Sequence, residues 1–193
     1  MAFLPEDYKA PESSSGRYMK FADGANKFRA LSAPVFGFEY WVVKEDGKRT
    51  PKRVKTLEEI PNEIRFSSDR DVKPRHFWAF LVWNYNESKA QILSLTQATI
   101  KKALEGLDKD ADWGDIREYD VLINKTGKGQ DTEYSTISKP KTVFDREGKE
   151  VPTVSLEALF TGEDPFNSVA VDKKELNDAL NDGDLDSLLS SKS

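Results

Sequence analysis

Lys48, Arg49, Lys52, Arg53 and Lys55 fall within eight consecutive residues that contain no carboxylate. Just upstream, residues 35–43 alternate like a strand. Phe36, Phe38, Tyr40 and Val42 fall on one face, and Gly37, Glu39, Trp41 and Val43 on the other. Glu39 is costly to bury, so its face is expected to be outward, with the Trp41 ring available. Cations along a groove beside exposed rings suit an unpaired polynucleotide, whose phosphates meet the cations while its bases stack. Further candidates for the same contact are Arg29, Arg75, Trp83 and Tyr85, on or beside two apolar strands, and Lys125 and Lys128 at a hairpin tip. Each stacked base contributes about 1–3 kcal/mol, so a few such positions plus phosphate contacts give useful affinity.

The charge distribution points the same way. Residues 17–149 carry 25 Lys+Arg against 21 Asp+Glu, whereas residues 150–193 carry 3 against 10. An overall net charge of −5 therefore conceals a basic body joined to an acidic tail. Like-charged blocks at chain ends act as interaction segments, and an anionic segment tethered to a cationic surface competes with a polyanion for it. The tail ends in an acidic-leucine run, in which Asp184, Leu185, Asp186, Leu188 and Leu189 are the candidates for contacting a protein partner.

Composition narrows the alternatives. With no Cys and one His, disulfides and a Cys/His zinc site are excluded, and no metal or cofactor is expected. The first residues lack the basic and apolar regions of a secretory signal, and no apolar run reaches membrane-spanning length, so a cytoplasmic protein without membrane contact is expected. A nuclease would need carboxylates around Mg²⁺. Asp108, Asp110, Asp112 and Asp115 are close in sequence, but they read as a solvated acidic turn, and no enzyme is expected. The Thr126-Gly127-Lys128-Gly129 loop lacks the Gly-Lys-Ser/Thr pattern of a phosphate loop. His76 reads as an ordinary hydrogen-bonding side chain.

These residues need a scaffold. Residues 1–16 read as a flexible N-terminal arm, 17–149 as the folded domain and 150–193 as a largely disordered tail. Strands are expected at 27–32, 35–43, 76–85, 90–95, 119–125 and 134–137, with a hairpin turn at Lys44-Glu45-Asp46-Gly47. Residues 48–75 read as a long connection with a helical turn near Thr56–Ile60. Leu95, Ala98, Ile100, Ala103, Leu104 and Leu107 form the apolar stripe of one helix, for which Ser94 or Thr96 is the expected cap. Five to six short strands with a helix inserted before the last hairpin suit an OB-type Greek-key barrel.

Three runs carry a resemblance: Gly24-Ala25-Asn26-Lys27-Phe28-Arg29-Ala30-Leu31-Ser32, Gly37-Phe38-Glu39-Tyr40-Trp41, and Arg75 through Tyr85. Gln97-Ala98-Thr99-Ile100, Asp112-Trp113-Gly114-Asp115, Thr132-Glu133-Tyr134 and the acidic-leucine ending continue it. Together they resemble tailed-phage single-stranded DNA-binding proteins of the helix-destabilising replication type. The resemblance implies an OB fold acting in phage DNA replication, recombination and repair in the host bacterial cytoplasm. It also implies a tail that recruits a polymerase, helicase or primase and competes with DNA, and self-association on DNA. The best-known members of this broader group carry a zinc-binding insertion, which the 48–75 connection would replace here. A different reading of the same barrel is a protein-interaction adaptor that never contacts DNA.

Overall fold

A computed structural model describes residues 16–139, 149, 151–152, 154–166, 174–175, 178–179 and 185–190. Residues 1–15 of the expected arm at 1–16, and Asp184 of the tail, lie outside the described residues. The fold is mainly β, an open antiparallel sheet of seven strands, one or two more than the sequence led us to expect. The strands are β1 (Gly24–Ala30), β2 (Val35–Val43), β3 (Arg49–Val54), β4 (Arg75–Asn84), β5 (Lys89–Leu95), β6 (Asp120–Thr126) and β7 (Glu133–Lys139). Their order is β3-β2-β4-β1-β6-β7, and β5 also pairs with β4. The principal helix, α2 (Ala98–Lys109), follows α1 (Asn62–Arg65) and precedes the short helices α3 (Ala158–Thr161) and α4 (Leu185–Ser190).

β4 is the spine. β1 pairs with its C-terminal part, Ala30 opposite Val82, and β2 with its N-terminal part, Val35 opposite Ala79 and Glu39 opposite Arg75. β1 and β2 thus form one long strand with a jog at residues 31–34. The Leu31 amide donates to the Leu81 carbonyl at 2.8 Å. The Leu81 amide then donates to Ser32 Oγ at 2.9 Å, a hydroxyl standing where the ladder would offer a carbonyl. Pro34 has no amide hydrogen with which to continue the pairing.

Side chains alternate along β4 and face two separate cores. Phe80 and Val82 pack with Phe28, Leu93, Val121 and Ile123, and with Ile100 and Leu104 of α2. Phe77, Ala79, Leu81 and Trp83 pack with Leu31 and Ile92, and with Val151, Val154, Leu156, Leu159, Leu185 and Leu189. We call the first the back face and the second the front face. A fully buried side chain of these sizes stabilises by about 1.5–3 kcal/mol, so both cores contribute substantially.

Several expectations change here. The basic run is not a loop: Arg49–Val54 is an edge strand paired with β2, Arg53 opposite Glu39 and Pro51 opposite Trp41. Charge and proline hid it, and both are features of edge strands. The N-cap of α2 is Gln97, without a side-chain cap, rather than Ser94 or Thr96; the Gln97 carboxamide accepts from the Thr96 amide instead. A capping box is formed instead by Thr56 and Glu59, the N-cap and third residue of the 3-10 turn Leu57–Glu59. The core also runs past the change of composition at residue 150, because Val151, Val154, Leu156 and Leu159 are buried on the front face. Gly37 permits this closeness: a Cβ there would meet the Val54 carbonyl oxygen at 2.4 Å and the Phe160 ring at 2.6 Å.

Candidate nucleic-acid interface

The β2–β3 ribbon projects beyond the start of β4, since β2 pairs with β4 only as far as Glu39. Alternation through the registers puts Val43, Trp41, Glu39, Arg49, Pro51, Arg53 and Arg75 on the front face. Trp41, on the same face of β2 as Glu39, is 43% exposed. Arg53 Nε lies 3.1 Å from Glu39 Oε2, and its guanidinium sits over the Phe77 ring at 5.7 Å. Lys55 joins this face through α3, with Nζ 2.9 Å from Glu157 and 5.4 Å from the Phe160 ring centroid. One face therefore collects Trp41, Arg49, Arg53, Lys55 and Arg75.

The same face continues at the far end of β4. Trp83 lies opposite Arg29, and Arg29 opposite Asp120. Lys149 Nζ is 4.6 Å from the Trp83 ring, and Lys27 Nζ is 4.7 Å from the Tyr85 ring. Two of the candidates differ from what an open platform needs. Trp83 is buried, and Arg29 is buried with Nε 2.8 Å from Asp120 Oδ1, so its charge is held inside the fold.

The remaining candidates lie elsewhere. Lys52, opposite Tyr40, points to the back face, and Lys48 belongs to the hairpin turn. Lys125 pairs with Gly24, beyond the other end of β4, on the back-face side of its strand, and Lys128 lies in the loop after it. The structure does not bring Lys125 and Lys128 to the Trp41 ribbon.

Several further exposed or partly buried residues were not evident from the sequence. Arg17 donates to Asp164 at 2.7 Å and lies 4.9 Å from the Phe166 ring, which stands edge-on to Tyr18. The Phe166 amide and then Arg17 hold the Asp164 carboxyl below its usual range. Burial pushes the Tyr18 phenol up, against the opposing field of Arg53, which ties this cluster to the basic ribbon. Phe66, directly after α1, is 74% exposed with the Arg65 guanidinium over its ring at 4.6 Å. An isolated apolar residue in a charged stretch gives no periodic signal, so only its exposure marks it.

Between the two ends of the front face lie the segment 151–166 and α4. Leu185 and Leu189, expected to meet a partner, are instead 2% and 6% exposed in the front core, with Leu188 packed against it. Asp186 accepts from the Ala33 amide and pairs with Arg117. The acidic-leucine run is seated on the face that carries the cations.

Among the described residues, no group of three or more His, Cys, Asp or Glu is placed to hold a metal ion. Asp108 accepts from the Ile116 amide, Asp110 from the Asp112 amide, and Asp115 from the Arg117 amide and guanidinium. No described helix is long and apolar enough to cross a membrane.

Sequence comparison adds a relative. The chain is 24% identical over 136 residues to a protein of Escherichia phage T5 named "Probable ssDNA-binding protein". The alignment covers 61% of this chain and 52% of that protein, so the chain spans about half the length of the relative. No protein-family profile matches the chain, and no solved structure matches it.

Proposed function

We propose that this chain binds single-stranded DNA without regard to sequence, as a non-catalytic protein of phage DNA replication, recombination and repair. The single observation that carries the reading is the gathering of Trp41, Arg49, Arg53, Lys55 and Arg75 on one face of a projecting ribbon. Cations spaced along a strand follow a phosphate backbone, while an exposed indole stacks on bases of any identity. Tyr85, Lys27 and Lys149 extend the path at the other end of β4. The distant phage relative supports the reading through its name. The sheet, with a helix inserted between β5 and β6, is read as an OB-type barrel opened at its edges.

The acidic segment is the natural competitor. Leu185, Leu188 and Leu189 are seated on the front face, so DNA and tail would exclude one another there. Release of α4 would uncover Leu185, Leu188 and Leu189 for a replication enzyme. Binding of labelled oligo-dT by full-length protein tests the reading. Affinity should fall steeply with salt and be nearly equal for mixed-sequence oligonucleotides. No binding at low salt would leave the protein-adaptor reading in its place.

A further inference from the structure

The back face carries a different feature. A cleft of about 350 Å³ opens between the jog at Ser32–Pro34, the start of α2's last turn and the 3-10 turn Ile116–Glu118. Its floor is apolar, formed by Phe36, Trp78, Leu104 and Ile116. Phe36 was expected inside the sheet with Phe38 and Tyr40, yet it is 55% exposed, with its ring edge-on to Trp78 at 6.1 Å. A large ring left open at the start of β2, inside a concave site, is the sort of surface that anchors a partner.

The rim fixes the sign of that partner. Among the described residues that line the cleft, Glu105, Asp108 and Asp115 stand against a single cation, Arg117, which is itself shared between Asp115 and Asp186. Glu105 is paired with Lys109 at 2.6 Å, but both are exposed, and such a pair is readily exchanged. The field is felt next door: burial, with Asp108, Asp115 and Asp110, pushes the Tyr119 phenol up to about 12. A phosphate backbone is repelled by the carboxylates of such a rim, and its one cation, Arg117, already has Asp186 of the tail as a partner.

We propose that this cleft docks a protein segment that presents an apolar or aromatic side chain between lysines or arginines. The side chain enters over Phe36 and Trp78, and the cations meet Glu105, Asp108 and Asp115. The site is on the opposite face from the basic ribbon, so the partner and the ligand of the front face can be held together.

The probe is a short fluorescein-labelled peptide alternating lysine with leucine and phenylalanine, titrated against the full-length protein by anisotropy. A twin with glutamate for lysine serves as control. The basic peptide should bind, weakening as salt is raised, and the acidic twin should not. Phe36→Ala, and separately the pair Glu105→Lys and Asp108→Lys, should each weaken it by about tenfold or more. All three positions are exposed, and unchanged thermal melting verifies the fold; Phe36→Ser serves if Phe36→Ala melts early. Oligo-dT affinity of Phe36→Ala should stay within about twofold of the parent. Equal peptide binding by parent and variants overturns the proposal. So does a loss of oligo-dT affinity in Phe36→Ala, which assigns the cleft to nucleic acid. Self-association abolished by Phe36→Ala in sedimentation also overturns it, assigning the cleft to a second copy of the chain.

Discussion

Arg29 and Asp120 face each other across β1 and β6, Nε 2.8 Å from Oδ1, with the carboxylate wholly shielded from solvent. Lys27 lies 3.6 Å from the other carboxylate oxygen, and the Tyr85 hydroxyl donates to Oδ1 at 2.9 Å. Removing one member of a buried pair leaves the other charge uncompensated, at about 3–5 kcal/mol. Asp120→Ala should therefore lower unfolding stability by about that amount in urea titration. A loss under about 1 kcal/mol would show that water reaches this pair.

Trp41 is the converse case, a ring whose removal should leave the fold intact. Trp41→Ala should weaken oligo-dT binding by about 1–3 kcal/mol in fluorescence or anisotropy titration, with little change in melting temperature. Unchanged affinity would move the stacking site away from the ribbon.

The ribbon cations predict a salt signature. Arg49→Ala or Arg75→Ala should each flatten the log–log dependence of affinity on salt by about 0.7, the share of a single phosphate. Lys125→Ala, beyond the other end of β4, should leave the slope closer to that of the parent. Equal slopes in all of them would disconnect the ribbon from the phosphates.

Seating of α4 predicts a gain on truncation. Deleting residues 184–193, or the milder Asp186→Ala, should tighten oligo-dT binding at low salt. The gain should shrink as salt screens the charges. Identical affinities at low salt would mean that α4 and the oligonucleotide do not share the front face.

His76 offers a titration with one histidine to assign. Burial, then the nearby Lys101, lowers its pKa below the usual 6.5. Lys101 donates to the His76 carbonyl at 2.7 Å, with its Nζ 3.4 Å from the ring Nδ1. A depressed histidine pKa means that the folded state binds fewer protons than the unfolded chain. The contribution to stability is thus full above 6.5 and is lost as pH falls through 6.5 toward the folded value. The imidazole should titrate below 6.5 by NMR, and Lys101→Met should raise that midpoint only partway, because burial remains.

Much of the scaffold was legible because apolar periodicity survives wherever a strand or helix faces a core. β2, β4, β5, β6 and α2 lie close to where alternation and the Leu104 stripe put them. β3 was not legible: Arg49, Pro51, Lys52 and Arg53 remove the apolar signal from a strand supported on one edge only. Packing of Val151, Val154, Leu156 and Leu159 was hidden by the surrounding carboxylates, since composition averages over the few residues that reach the core. For the candidate surface, alternation about Glu39 placed Trp41 outward. The inward turn of Arg29 depends on Asp120, 91 residues away, and no local pattern announces it.

Pro51 has one more consequence. β3 is the outermost strand beside β2, and another copy of the chain could extend the sheet there by laying a strand alongside. A residue without an amide hydrogen, set among Arg49, Lys52 and Arg53, interrupts the ladder and repels an identical neighbour. Molecules crowded at high local density can then lie side by side without fusing edge to edge into aggregates.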